Sequence, residues 1–231
     1  FKKEFNKRIN LYLNKIKKDY NECSVCLSGG LDSTLIAYFA KYNFKRVNLV
    51  TALIYDNKKI LNNDDYLASK KVAKYLKCKQ VFVKITKKEI FKNLKKIMFS
   101  CQDWRDYNVH CASINFLIGK YLSKLTLKKF PLLTGDFMNE ICADYNTEFY
   151  KNKEYYKVPN IPKKYKQRFF LNSLDSSDRE IGVFEYFNLK AYQPYSCVYD
   201  LYLNVPNKIF NRNNFKYEFN GVFLPKKIMK I

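Results

Sequence analysis

Ser28-Gly29-Gly30-Leu31-Asp32-Ser33-Thr34 joins an apolar, strand-like run at 23–27 to an amphipathic, helix-like run at 35–41. Two adjacent glycines let the backbone approach an anion, and small hydroxyl residues offer donors. The helix that follows turns its free amides and the positive end of its dipole toward the loop. The stretch therefore reads as a pyrophosphate cradle. An ionised Asp32 accepts hydrogen bonds but donates none, so it suits the rim of such a cradle if it holds a Mg2+ that bridges phosphate oxygens. A plain glycine turn is the alternative reading, since any α/β domain contains one. A Walker-type loop is excluded, because no Gly-Lys-Ser/Thr follows at the required spacing.

Working outward, residues 47–55 (VNLVTALIY) form a β-branched apolar run expected to be a second central strand, closed by the turn signal Asp56-Asn57. Residues 64–76 carry Leu67, Val72, Ala73 and Leu76 at helical spacing, and 80–85 read as a third strand. Helices are expected at 90–99 and at 109–125, the latter around Ile114, Leu117, Ile118, Tyr121 and Leu122. A fourth strand at 130–134 runs into Gly135-Asp136. Strands alternating with helices imply right-handed crossovers and an α/β fold, a parallel twisted sheet with helices on both faces. Such sheets bind ligands at the carboxyl ends of their strands, so the loop at 135–136 should face the first loop across one crevice.

Residues 145–167 shift to Lys, Tyr, Asn and Pro without periodicity, which fits either a mobile substrate-covering segment or a solvated surface loop. Stretches 176–189 and 198–203 are expected to be helical and to make up a C-terminal helical part. Neither repeats nor a second core stand out. Residues 1–231 thus read as one domain, with a nucleotide-binding core at 1–144 and a substrate-side part at 145–231.

The net charge of +22 comes from 37 Lys and 6 Arg against 21 acidic residues. Lysine is spread along the whole chain beside abundant Asn, Tyr, Phe and Ile, as A/T-rich coding would produce, so nucleic acid is the less favoured partner. The same field favours phosphate-bearing substrates. No apolar run approaches the ~18 to 20 residues that span a membrane, and no signal peptide opens the chain, so a cytoplasmic location is expected. Cys23 and Cys26 form a C-x-x-C on a predicted strand. Residues three apart on a strand point to opposite faces, so buried free thiols are expected rather than a metal site.

S-G-G-x-D-S resembles the signature of the PP-loop ATP pyrophosphatases, whose fold is of the adenine nucleotide alpha hydrolase-like kind. The second loop, Leu133-Thr134-Gly135-Asp136-Phe137-Met138-Asn139-Glu140, is similar to the L-[ST]-G-E-G-[AS]-D-E motif of the asparagine synthetase C-terminal (synthetase) domain family. The segment DYNVHCASI (106–114) resembles that family's R-x-A-S-I-P region, with His110 at the Arg position and Asn115 at the Pro. Asp178-Arg179, Pro194-Tyr195 and Leu224-Pro225 extend the similarity over nearly the whole chain. Relatives in the same group include β-lactam synthetases and lasso-peptide cyclases.

The resemblance implies an AMP-forming ligase. ATP adenylates a carboxylate, pyrophosphate leaves with Mg2+ and loop donors stabilising its charge, and ammonia or an amine then takes the acyl group. It also implies roles for particular residues. Leu27, Ser28, Gly29, Gly30, Asp32, Ser33 and Thr34 would hold pyrophosphate, while Thr51, Leu53, Thr134 and Gly135 would contact the AMP portion, adenine being met through backbone groups at 51–53. Asp136 and Glu140 are the catalytic candidates, Asp32 and Glu140 the metal ligands, and Asp106 and His110 the substrate contacts.

Departures from the family pattern bear on the substrate. Asp136 stands for Glu, and Asn139 for a metal-binding Asp. Lys190 and Tyr192 stand where many asparagine synthetases carry Glu and Arg, which argues for an acid other than aspartate, a small molecule or a peptide carboxylate. Residues 1–231 contain no glutaminase domain, so nitrogen is expected from ammonia, from an amine, or from a separate or upstream glutaminase. Two alternatives remain at this point, a tRNA-modifying PP-loop enzyme of the thiolation or lysidine type and a non-catalytic binding subunit.

Overall fold

The computed structural model describes residues 2–104, 106–136, 147–150, 153–156, 182–198 and 210–211. Its first five strands and five helices are α1 (Lys2–Asp19), β1 (Glu22–Cys26), α2 (Leu31–Asn43), β2 (Arg46–Asp56), β3 (Lys59–Ile60), α3 (Asn63–Leu76), β4 (Lys79–Thr86), α4 (Lys87–Cys101), α5 (Asp106–Leu122) and β5 (Leu132–Leu133). Further along come β6 (Thr147–Tyr150), β7 (Lys153–Tyr156), β8 (Ala191–Tyr192) and β9 (Phe210–Asn211).

Residues 48–50 of β2 pair in parallel with β1 and β4 at once, so these two strands flank it on opposite edges. On the far side of β1 lie β5 and then β8, both parallel. The main sheet therefore runs β4–β2–β1–β5–β8, and the strand order reverses at β1, the feature that creates a crevice above β1 and β5. β3 is a short antiparallel return on β2, reached through a tight turn in which Asn57 takes the left-handed conformation (φ 52°) that asparagine tolerates.

Alternation along the strands divides the core in two. Cys23, Val25, Val47 and Leu49 meet Phe5, Ile9, Leu13, Leu35, Ile36 and Leu76 on the face covered by α1, α2 and α3. Val50, Val83, Ile85 and Leu132 meet Ile97, Ala112, Phe116 and Ile118 on the face covered by α4 and α5, with Cys26 packed against them. The four expected strands and the helices between them are all present. Helix α1 was not anticipated. Its stripe Phe5, Ile9, Leu13 and Ile16 is buried, and each such side chain stabilises the fold by roughly 1.5–3 kcal/mol.

Boundaries differ in ways that matter. Helix α2 begins at Leu31 rather than residue 35, so Asp32, Ser33 and Thr34 belong to its first turn. Helix α5 covers Asp106–Leu122, ahead of a 3₁₀ turn at Thr126–Lys129. Helix α4 starts at a capping box. Thr86 Oγ1 accepts from the Glu89 amide at 3.3 Å, and Glu89 Oε2 accepts from the Thr86 amide at 3.1 Å.

The C-terminal part departs further from expectation. Within 145–167 the chain forms the antiparallel pair β6–β7, which β9 joins, instead of structureless loop. The helix expected to reach Leu189 does not do so, because Glu185–Phe187 is a 3₁₀ turn ended by left-handed Asn188 (φ 55°). Aromatic packing explains the tight turn. Phe116 of α5 meets Phe187 edge-on at 4.8 Å, and the absent side chain of Gly119 makes room for Phe187. Of the helix expected at 198–203, only Val198 lies within the described residues, where it ends the 3₁₀ turn Pro194–Val198.

Cys23 and Cys26 do point to opposite faces of β1, and no cluster of three or more metal-ligating side chains occurs among the described residues. Burial pushes both thiols well above their ordinary value of 9.0, with the charge of Asp136 adding to the effect at Cys26. The unfolded chain therefore loses these protons near pH 9 while the folded chain keeps them. Their contribution to stability is present below that pH and falls above it, by up to about 2.7 kcal/mol per pH unit for the pair. Urea midpoints at pH 8 to 10 should fall more steeply for the wild type than for a Cys23→Ala/Cys26→Ala variant, and parallel curves would contradict this.

Candidate active site

The site is a cavity of about 350 Å³ at the carboxyl ends of β1, β2 and β5, on the α5 side of the sheet. Leu27, Ser28, Asp32 and Ser33 line it from the first loop, Gly135 and Asp136 from the second. These two loops touch. A Cβ on Gly135 would lie 2.7 Å from the Ser33 amide nitrogen and 2.8 Å from its Cα, so only glycine allows this approach.

Hydroxyl bonds shape the first loop. Ser33 Oγ accepts from the Ser28 amide at 3.2 Å and sits 3.0 Å from Ser28 Oγ, which itself accepts from the Gly30 amide at 3.2 Å. Gly29 is left-handed (φ 93°), and a Cβ there would meet Ala68 Cβ and the Ser69 nitrogen at 2.6 Å, so α3 packs directly on the turn. Gly30 caps α2 without a side-chain bond, and the first-turn amides of a helix have no intrahelical partners. The loop thus presents an anion-binding helix terminus to the cavity.

Alternation decides which side chains of β2 face the cavity. Val50, Ala52 and Ile54 line the cavity, whereas Thr51 and Leu53 do not. Thr51 Oγ1 instead donates to the Leu27 carbonyl at 2.8 Å and accepts from Gln80 Nε2 at 2.9 Å. It braces β1 against β2 beneath the loop.

Asn62 and Asp65, at the start of α3, also line the cavity and were not singled out from sequence. Between the end of β1 and the β3 pairing at Tyr55 and Asp56, the edge of β2 has no strand neighbour, and the Asn62 carboxamide takes that place. Its Oδ1 accepts from the Ile54 amide at 2.9 Å and its Nδ2 donates to the Ala52 carbonyl at 3.0 Å. The signal was an asparagine just before a helix whose first turn is acidic. Ile114, Asn115 and Ile118 of α5 close the opposite wall.

Asp32 and Asp136 share the cavity, with the Cys26 thiol near enough to Asp136 to feel its charge. Thr34 and Thr134 are buried and do not line the cavity, and neither hydroxyl has a hydrogen-bond partner among the described residues. Asp106 and His110 are exposed on α5 and do not line the cavity. Glu140 and Asn139 lie outside the described residues. Lys190 and Tyr192 are not in the cavity wall either. Lys190 sits below it, its Nζ 5.6 Å from the ring centre of Tyr20, a residue that precedes β1.

Tyr195 ties the C-terminal part to the first loop. Fully buried against Phe5 of α1, it donates from its hydroxyl to the Asp32 carbonyl at 2.8 Å. Tyr195→Phe should lower stability by about 1 kcal/mol, measured as a shift in urea midpoint, and an unchanged midpoint would show that the bond contributes nothing net.

Asparagine synthetase [glutamine-hydrolyzing] of Rattus norvegicus is 28% identical over 138 residues, 58% of this chain and 24% of that protein, so the chain spans about a quarter of the curated relative's length. Among solved structures, NH3-dependent NAD synthetase from Campylobacter jejuni superposes with a TM-score of 0.43 at 14% identity, over 63% of this chain and 61% of that one. NMN synthetase from Francisella tularensis gives 0.45 at 13% identity, over 100% and 90%. The profile of the asparagine synthase family matches residues 17–199, a span that holds both loops and every described wall of the cavity, and the chain belongs to that family.

Proposed function

We propose that the cavity binds ATP and that the chain transfers AMP to a carboxylate, then passes the acyl group to ammonia or an amine. The observation that carries this reading is the contact between the two loops, which sets Asp32 and Asp136 into one cavity above the helix terminus of α2. The β- and γ-phosphates would lie on the amides and hydroxyls of residues 28–34. Adenosine would extend along Val50, Ala52 and Ile54 toward Asn62 and Asp65.

The donor set also suits magnesium, which is commonly held by one or two carboxylates together with substrate phosphates. Asp32 and Asp136 would hold it, and it would offset charge on the departing pyrophosphate. A carboxylate oxygen attacks the α-phosphorus, the bond to the bridging oxygen breaks, and pyrophosphate leaves. The nitrogen nucleophile then attacks the acyl carbon and AMP departs with the former carboxylate oxygen. Asp136, at the mouth of the second loop, would orient the amine and accept its proton.

Incubating the chain with ATP, Mg2+ and a panel of carboxylates, with ammonia or amines, tests the reading. AMP and pyrophosphate should appear in equal amounts, and only when an acceptable acid is present. ADP and inorganic phosphate in their place would overturn it.

A further inference from the structure

Lysine is abundant throughout the chain, so positive charge alone marks no surface. Exposed aromatic side chains do. The three most exposed large apolar residues among those described are Trp104 (80%), Phe99 (75%) and Phe91 (72%). Two lie on α4, and Trp104 follows it by three residues.

At about 100° per residue, the outward side of α4 presents Phe91 and Phe99 interleaved with Lys88, Lys92, Lys95 and Lys96, and the one exposed carboxylate, Glu89, lies at its edge and is engaged by Thr86 in the capping box. None of these four lysines has an ion pair among the described residues, whereas Lys87 pairs with Asp56 at 2.9 Å. Spacings of three and four residues bring the lysines side by side, which destabilises the helix, and Lys88 also faces the positive end of the helix dipole. The capping box and the buried side, Ile97 and Cys101 packed on the core, hold α4 in place without help from this face. An anionic partner would relieve the repulsion.

We propose that the outward face of α4 with Trp104 binds single-stranded nucleic acid, bases stacking on Phe91, Phe99 and Trp104 and phosphates pairing with the four lysines. Aromatic platforms set within a positive surface are how proteins hold unpaired strands with little sequence preference. A membrane-surface helix instead segregates its apolar face from its basic one. The apolar face of α4 is already buried, and its two remaining phenylalanines alternate with charge. This surface does not depend on the reading of the cavity.

Trp104 is the chain's one tryptophan among 20 tyrosines, so fluorescence excited selectively in tryptophan reports on that side chain alone. Titration with a 20-nucleotide oligouridine should quench it. Phe91→Ala/Phe99→Ala should weaken binding by about tenfold or more. Replacing the four lysines by glutamine should flatten the slope of log affinity against log salt by about three units. All these side chains are exposed, and circular dichroism melts will establish that the variants fold. Three results would each overturn the proposal: no quenching by oligouridine; heparin binding as tightly as oligouridine with no effect of the phenylalanine variant; or a blue shift on phosphatidylserine vesicles without quenching by oligouridine.

Discussion

Asp32→Asn should reduce AMP and pyrophosphate formation by about a thousandfold or more while leaving the fold intact. The substitution keeps size and shape and removes only the charge that would hold magnesium against the departing pyrophosphate. Losing a single preorganised electrostatic contact typically lowers the rate 10²–10³-fold, and a metal ligand acts on the same developing charge more directly. The structural effect is small by comparison. Asp32 lies in the first turn of α2, where a carboxylate stabilises the helix through its dipole by about 0.3–1 kcal/mol. Comparing product formation with the urea midpoint separates the two effects. A variant that folds and still turns over at the wild-type rate would remove Asp32 from the site.

The second large effect is expected at Gly135. A Cβ there meets backbone atoms, the Ser33 nitrogen at 2.7 Å, its Cα at 2.8 Å and the Asp32 carbonyl carbon at 3.0 Å, and none of these can rotate away. Gly135→Ala therefore pushes apart the two loops that bring Asp32 and Asp136 together. Overpacking of this kind destabilises by about 1–3 kcal/mol, and a displacement of about 1 Å in a reacting group lowers the rate about a hundredfold. Gly182→Ala is the control. Among the described residues nothing lies within 4 Å of its added Cβ, so stability and rate should stay near the wild type. Equal behaviour of the two variants would mean that the loop contact has no part in the activity.

The central sheet and the two facing loops were legible because each leaves a strong local mark. Residues 47–55 are too apolar and β-branched to be anything but a buried strand, and two glycine-bearing loops each follow such a run. What escaped has physical reasons. β8 is two residues long and has no periodicity to read. The strand pair β6–β7 is dense in Lys, Glu and Tyr, so its alternation is masked by polar residues on both faces. The stripe Phe5, Ile9, Leu13 and Ile16 was readable, though diluted among lysines and asparagines.

Within the site, the loop residues could be named from motif spacing, but the wall from β2 could not. Only pairing decides which face of a strand looks into the crevice, and it turns Thr51 and Leu53 away while turning Val50, Ala52 and Ile54 inward. Asn62 and Asp65 enter because the hairpin through β3 folds the start of α3 back over the end of β2. That is a tertiary event without a local signature.

The most direct measurement is the crystal structure of the chain with Mg2+ and an ATP analogue whose α–β bridge cannot be cleaved. The account predicts density for the β- and γ-phosphates on the backbone amides of residues 28–34, with the base against Val50, Ala52 and Ile54 and a metal between the phosphates and Asp32. Density for the analogue elsewhere on the chain, or a triphosphate in the cavity lying away from Ser28 to Thr34, would contradict it.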